Sequence, residues 1–98
     1  IIDTGGTIAA ASRALIERGA KSVSVAATHG IFSDESVEKL KDTPIDEIIV
    51  TDTLKQNGNI EKIGNVKILS VSSIIATALT SIFADDSVSA IFMGENVL

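Results

Sequence analysis

The most informative stretch of this 98-residue sequence is IIDTGGT, which occupies residues 1–7. Two isoleucines are typical of the end of a buried strand, and the paired glycines Gly5 and Gly6 predict a sharp turn. Thr7 is a candidate helix cap, and the residues that follow it have helical periodicity. A strand that turns through glycines into a helix directs backbone N–H groups outward at the positive end of the helix dipole. The stretch therefore predicts a phosphate-binding loop, with an ordinary glycine turn as the alternative.

The residue types in this stretch suit an anion. Gly5 and Gly6 allow the backbone to approach a phosphate closely because neither carries a side chain. The hydroxyls of Thr4 and Thr7 add two donors to those of the backbone. Hydrogen bonds to a charged partner are worth roughly 1.5–3 kcal/mol each, so two or three of them would give about millimolar binding.

Beyond the loop, helices and strands are predicted to alternate. In the first helix, Ile8, Ala11 and Leu15 recur at helical spacing and are expected to face the core. The predicted elements are a helix over 8–18 that stops at Gly19, a strand over 22–27, a helix capped by Ser33 and ending near 41, a strand over 47–51, a loop over 53–65, a strand over 66–71, and a helix from Ser72 or Ser73 to about 84. This order favours an α/β fold with a parallel sheet covered by helices on both faces.

Polar clusters fall where the predicted strands end, at 3–7, 28–30 and 51–53. Ligands of parallel sheets bind at the carboxyl ends of the strands, so these clusters mark the expected site. His29 is the only histidine, and its place at a strand end would allow a contact near the substrate. Because no residue pattern pairs it as a base or metal ligand, a structural hydrogen bond is the favoured alternative. Asp52 is predicted to cap a strand end, and the charged residues of 34–41 to form a solvated helix face.

Composition narrows the classes of partner. The net charge of −5 argues against nucleic acid, because binding to a duplex requires a basic surface that displaces counterions. The sequence contains no cysteine, so neither a disulfide nor a thiolate metal site can form, and a reducing, cytoplasmic setting is permitted. No apolar run approaches the length of a membrane span, so no membrane partner is expected. Because the sequence opens within a predicted strand, we expect it to be a piece of a longer protein.

Five segments resemble the ribose-phosphate pyrophosphokinase family. The first, IIDTGGT at 1–7, resembles the phosphoribosyl diphosphate loop of the type I phosphoribosyltransferase fold. The other four resemble the pyrophosphokinases in particular: AATHGIFS at 26–33, IVTDT at 49–53, KILSV at 67–71 and SVSAIF at 87–92. Together they cover nearly the whole sequence in the order that the family has.

The resemblance implies both a fold and a reaction. Residues 1–98 would be a C-terminal phosphoribosyltransferase-like domain fragment, an α/β parallel sheet flanked by helices and truncated on its N-terminal side. The implied enzyme is a magnesium-dependent transferase of nucleotide biosynthesis, which transfers the pyrophosphate of ATP to ribose 5-phosphate to give phosphoribosyl diphosphate and AMP. It would be a cytoplasmic homo-oligomer, with dimers assembled into a hexamer. The implied catalytic residues and most Mg²⁺ ligands lie outside this sequence, so the fragment alone is expected to be inactive.

The resemblance also assigns binding residues by position. Asp3 would face the ribose, and Ser87 and Ser89 match serines that bind a regulatory phosphate between subunits in the phosphate-activated, ADP-inhibited class. The implied ribose 5-phosphate site consists of Asp3, Thr4, Gly5, Gly6 and Thr7. Two alternatives are a phosphoribosyltransferase that transfers to a base, and a non-catalytic regulatory homologue of the synthetase. The residues that precede Ile1 in the whole protein would help to separate these alternatives.

Overall fold

The computed structural model describes residues 1–84 and shows a three-stranded sheet with four helices. The elements are α1 Gly6–Glu17, β1 Ser24–Ala26, α2 Asp34–Lys41, β2 Glu47–Thr51, α3 Asn59–Ile63, β3 Val66–Leu69 and α4 Ser72–Phe83. All strand pairs are parallel, and β2 lies between β1 and β3. The predicted α/β class and parallel sheet are confirmed. The first and third strands are shorter than predicted, although Val23 and Ala27 beside β1 still hydrogen-bond across to Asp46 and Ile49.

The apolar core lies on one face of this sheet. Ile48 and Val50 of β2 are fully buried there, whereas Ile49 between them points to the other face and is half-buried. Helices α1, α2 and α3 each contribute to the core, as do the segments that join them to the strands. The buried apolar residues are Ile2, Ala9, Val23, Phe32, Leu40, Ile45, Ile48, Val50 and Ile63.

The prediction that helices cover both faces of the sheet is wrong for residues 1–84. On the face opposite the core, Ser24, Ala26 and Lys67 are exposed, and Leu69 retains 38% exposure. A shallow apolar groove runs across this face between β1 and β3. The alternating burial of β2 follows from this arrangement, because successive side chains of a strand point to opposite faces.

Helix α1 turns a different face to the core from the one predicted. Ala9 and Ser12 are buried, and Ile8 packs against the core as expected. Ala11 and Leu15 are instead exposed, Leu15 to 51%. The buried stripe thus includes a small polar residue, and for that reason the apolar periodicity of the sequence indicates the neighbouring stripe with Ala11 and Leu15 instead. Ser12 can be buried because its hydroxyl donates to the Ala9 carbonyl at 2.8 Å.

The segment predicted as a loop over 53–65 contains the short helix α3. Ile63 is buried and Ile60 packs against the core, three residues apart on one side of the helix. The Asn57 side chain accepts a hydrogen bond from the backbone N–H of Asn59 at 2.8 Å, and Gly64 ends the helix with φ +96°. A helix of five residues is too short for its periodicity to stand out among asparagines and glycines.

Helix α4 has no buried residue, although the sequence correctly predicts its position. Its apolar side chains are instead exposed: Ile75 is 53%, Leu79 50%, Ile82 60% and Phe83 88% exposed. Within residues 1–84, then, no other element covers this face. None of the helices described is long and apolar enough to cross a membrane.

Candidate functional site

The turn at residues 3–7 joins the buried Ile2 to α1. Gly5 has the left-handed conformation, with φ +82° and ψ 1°, and its carbonyl accepts the first helical hydrogen bond from Ala9 at 2.9 Å. A Cβ on Gly5 would lie 2.7–2.9 Å from the side chain of Leu40, which is itself buried. Glycine is therefore needed for both conformation and space. The predicted cap at Thr7 is wrong, because Gly5 occupies that position and Thr7 lies in the first turn of α1.

The N-terminus of α1 presents unpaired donors to a concave surface. Within residues 1–84, the N–H groups of Gly6, Thr7 and Ile8 have no hydrogen-bond acceptor. A helix leaves its first N–H groups without internal partners, and its dipole favours an anion beside them. These groups border a recess of about 210 Å³ that is lined by residues 1–8. The recess is thus lined by the predicted loop, the two residues before it and the one residue after it.

Backbone hydrogen bonds connect the start of the loop to residues 29–33, the segment that follows β1. The N–H of Ile2 donates to the His29 carbonyl at 2.9 Å, and the Ile2 carbonyl accepts from Ile31 at 2.7 Å. One residue further, the Asp3 carbonyl accepts from the N–H of Ser33 at 3.2 Å. Ser33 precedes α2 as predicted, but its hydroxyl donates to the backbone carbonyl of Asp3 at 3.4 Å rather than capping the helix.

Two charged side chains lie close to the loop. Asp3 is exposed at its start. The Nζ atom of Lys39 lies 3.7 Å from the position that a Cβ on Gly6 would occupy, while it pairs with Glu35 at 3.3 Å. Lys39 was predicted to be part of a solvated helix face, and its approach to the loop depends on how α1 packs against α2. No local sequence signal contains that information.

Among the described residues, no group of three or more histidine, aspartate or glutamate side chains is placed to hold a metal ion. Asp3 is the carboxylate at the recess. Protein sites for Mg²⁺ often provide only one or two carboxylates and leave the other positions to water and substrate phosphates. Asp3 is therefore compatible with one ligand position, and the described residues do not form a magnesium site by themselves.

His29 belongs to a polar network beside the loop. Its Nδ1 atom lies 2.7 Å from the hydroxyl of Thr53, which donates to the Thr28 carbonyl at 3.2 Å. The Thr51 hydroxyl donates to the same carbonyl at 2.6 Å. The predicted structural hydrogen bond of His29 is confirmed, and the network ties the ends of β1 and β2 together.

Asp52 links the end of β2 to the start of α4. Its Oδ1 atom accepts a hydrogen bond from the backbone N–H of Val71 at 3.0 Å. This bond, with a smaller contribution from the Ser70 hydroxyl, lowers the pKa of the Asp52 carboxyl below 3.8. The predicted capping role is thus confirmed, although the N–H that Asp52 caps belongs to the next strand–helix junction. Ser87 and Ser89, the candidates for a regulatory phosphate site, lie outside the described residues.

The predicted strand end at Ile1 and Ile2 is present only as a single parallel bridge between Ile2 and Gly30. This bridged residue, a glycine turn and an uncapped helix N-terminus at the carboxyl edge of a parallel sheet are typical of a class of α/β domains that hold phosphate groups in this position. Comparison with known proteins identifies the family within that class. The family model of the phosphoribosyl synthetase-associated domain matches residues 1–93, and the chain belongs to this family.

Known relatives agree with this assignment. Ribose-phosphate pyrophosphokinases from Buchnera aphidicola and Haemophilus influenzae are 46% and 45% identical over 92 residues, which is 94% of this chain. The crystal structure of phosphoribosylpyrophosphate synthetase from Mycobacterium smegmatis superposes on 86% of the chain with a TM-score of 0.76 and 40% identity. The chain spans 29% of the length of both pyrophosphokinases and 28% of that crystallised chain.

Proposed function

We propose that this chain is the C-terminal, phosphoribosyltransferase-like part of a ribose-phosphate pyrophosphokinase, and that residues 3–7 bind the 5′-phosphate of ribose 5-phosphate. The observation that carries the proposal is the set of unpaired N–H groups at Gly6, Thr7 and Ile8, above a left-handed Gly5. Three converging donors at the positive end of a helix match the three oxygens of a phosphate monoester. The names of the relatives supply the substrate class.

Each residue of the proposed site has a distinct task. Thr4 and Thr7 would donate hydroxyl hydrogen bonds, and Asp3 would face the ribose hydroxyls. Lys39 is close enough to contribute an electrostatic attraction, since its long side chain can exchange the exposed Glu35 for a phosphate. At roughly 1.5–3 kcal/mol for each charge-assisted hydrogen bond, two or three net bonds correspond to about millimolar affinity.

The complete enzyme would use ATP as its second substrate and Mg²⁺ as its metal, with most ligands for both outside this chain. When bound, Mg²⁺ would neutralise the charge of the transferred phosphates. What residues 3–7 provide is a fixed position for the sugar, and positioning is a large part of catalysis in phosphoryl transfer. By family resemblance we also propose a cytoplasmic homo-oligomer, with dimers assembled into a hexamer.

Binding of ribose 5-phosphate to the full-length protein tests the site. Thr7→Val should raise the dissociation constant about threefold to tenfold, the loss of one hydrogen bond to a charged group. Gly6→Val should raise it more, because the new side chain meets Lys39 and crowds the anion. Thr80→Val on α4, remote from the loop, is the matched control and should bind as the wild type does. Unchanged affinity in both loop variants would overturn the assignment.

Turnover separates the proposed enzyme from its alternatives. Full-length protein should form phosphoribosyl diphosphate and AMP from ribose 5-phosphate and ATP, and the 98-residue chain alone should form none. A phosphoribosyltransferase would instead consume phosphoribosyl diphosphate and a base and release pyrophosphate. A regulatory homologue would be inert at full length. Failure of the full-length protein to consume ATP in the presence of ribose 5-phosphate would exclude the synthetase.

We also propose that Ser87 and Ser89 bind a regulatory phosphate between subunits, on the strength of the sequence resemblance alone. Two hydroxyls separated by one residue would share a side of an extended strand. Replacing both by alanine in the full-length enzyme should reduce phosphate activation and ADP inhibition while leaving ribose 5-phosphate affinity unchanged. Intact regulation in that variant would assign the two serines a structural role only.

A further inference from the structure

The segment from Gly30 to Phe32 lies between the phosphate loop and a row of side-chain amides. On the loop side, the N–H groups of Ile31 and Ser33 donate to the carbonyls of Ile2 and Asp3. On the other side, each carbonyl of the segment accepts a hydrogen bond from a side-chain amide. Gln56 Nε2 donates to the Gly30 carbonyl at 3.0 Å, and Asn59 Nδ2 donates to the Phe32 carbonyl at 2.9 Å. Asn57 Nδ2 lies between them and donates to the carbonyls of Ile31 at 3.3 Å and Phe32 at 3.2 Å. We refer to Gln56, Asn57 and Asn59 as the amide clamp.

The clamped segment includes a strained residue. Phe32 has φ +49°, a left-handed conformation that a bulky side chain rarely adopts, and its ring is fully buried. Its ring also fills the space beside Gly30, where an added Cβ would overlap it. Such a conformation persists only where the surroundings hold it. The hydrogen bonds that Asn57 and Asn59 both make to the Phe32 carbonyl act directly on this residue.

The amides of the clamp are themselves fixed. Asn57 Oδ1 accepts from the N–H of Asn59 at 2.8 Å, which orients its Nδ2 toward the clamped segment. Asn59 is 6% exposed, and its Nδ2 makes a second hydrogen bond to Asp34 Oδ1 at 3.0 Å. Asn57 is therefore oriented by hydrogen bonds at both ends of its amide, and Asn59 by two acceptors for its Nδ2 group.

We infer that Asn57 and Asn59 are positioning residues for ribose 5-phosphate, an inference that rests on the proposed function of residues 3–7. Neither amide touches the recess. They hold the carbonyl groups of residues 30–32 in place. The N–H groups of Ile31 and Ser33 are thereby kept where they bind the carbonyls of Ile2 and Asp3 and position the loop. Release of Phe32 toward an ordinary backbone conformation would rotate these N–H groups away, and the loop would lose its support. Positional errors near 1 Å are enough to weaken a preorganised site.

The test compares two asparagine substitutions at opposite ends of the sheet in the full-length enzyme. Asn59→Asp replaces the donating amide by a carboxylate that faces both the Phe32 carbonyl and the Asp34 carboxylate. Asn65→Asp is the matched control, because Asn65 Nδ2 likewise donates to a single backbone carbonyl, that of Ile45 at 2.7 Å, before β2 and β3 begin. Asn57→Ala is the second test variant, at an exposed position where folding is least at risk.

For Asn59→Asp we expect KM for ribose 5-phosphate to rise about tenfold with KM for ATP unchanged, and for Asn57→Ala about threefold. Asn65→Asp should lower the melting temperature and leave both KM values unchanged. If Asn59→Asp does not fold, Asn57→Ala decides. Unchanged KM for ribose 5-phosphate in the clamp variants, or an equal rise of both KM values, overturns the inference. Thr7→Val is measured alongside: should it also bind normally, the phosphate loop itself is wrong and the clamp inference falls with it.

Discussion

Residues 1–8 and helix α4, at the two ends of the part that the structure describes, are built very differently. Around residues 1–8, the backbone of Ile2 and the carbonyls of Asp3 and Gly5 are hydrogen-bonded, and Gly5 is pressed against the buried Leu40. At α4, by contrast, four large apolar side chains are exposed and none is buried. The loop end is stabilised by residues of this chain alone, whereas the α4 end has an apolar surface that residues 1–84 leave uncovered. Within residues 1–84, the turn at 3–7 is thus packed and hydrogen-bonded, while the apolar surface of α4 is not covered.

The largest expected effect comes from filling the space at Gly5. Gly5→Ala in the full-length protein should lower the free energy of unfolding by about 2–4 kcal/mol, since left-handed strain and overpacking against Leu40 add together. Gly19→Ala is the control, because Gly19 also has positive φ, +102°, but nothing lies within 4 Å of its Cβ position. It should cost only about 1 kcal/mol. Equal losses in urea unfolding would show that the Leu40 contact is unimportant.

The second prediction concerns the exposed end. The 98-residue chain should self-associate through α4, because exposed apolar side chains in one stripe favour association. Replacing Leu79 and Phe83 by lysine should shift its sedimentation toward monomer, while Thr77→Lys, at an exposed position on the opposite side of the helix, should not. If the Leu79 and Phe83 double variant sediments as the wild type does, the exposed stripe has no role in association.

A smaller effect is expected for the charge beside the loop. Lys39→Ala should weaken ribose 5-phosphate binding to the full-length protein about twofold to fivefold, and the difference should shrink in high salt. Lys41→Ala, on the same helix, is the control for net charge and should change affinity less. Identical effects of the two substitutions would mean that Lys39 acts only through the overall charge of the protein.

The smallest effect concerns Asp52, where β2 meets α4. Its pKa is lowered on folding, so its contribution to stability is fully present above the unfolded value near 3.8 and is lost as the pH falls through the lower folded value. Helix content should therefore fall slightly more in the wild type than in Asp52→Asn as the pH is lowered below about 4. Circular dichroism of both proteins between pH 6 and pH 2 measures this difference. Parallel curves would contradict it.

The sequence predicts the elements that have strong local signals. The glycine pair after Ile2, the stop at Gly19 and the apolar strand at 48–50 all lie where they were expected. Predictions failed where tertiary contacts decide the outcome. The inward face of α1 includes Ser12, whose burial depends on a hydrogen bond rather than on hydropathy.

At the candidate site, too, local sequence predicts some residues and tertiary contacts decide the others. Loop composition alone indicates residues 3–7, because glycine and threonine have a direct chemical reason to be there. The supports of the loop come from residues about 25 and 50 positions away, in segments that read as an ordinary polar loop and a charged helix. Polar side chains of loops are generally solvated, so nothing local distinguishes Asn59 from its neighbours. Only the fold brings them together.

The composition of the amide clamp has a consequence for the ageing of the protein. Asn57 is followed by Gly58, and Asn–Gly pairs are prone to deamidation, because a glycine has no side chain to hinder attack by its backbone nitrogen on the preceding side-chain carbonyl carbon. The attack expels ammonia and closes a cyclic imide, which water then opens to an acid. The product carries a carboxylate in place of the Nδ2 donor, beside the carbonyls of Ile31 and Phe32. Molecules of different age would then differ in substrate affinity without any change in the encoded sequence.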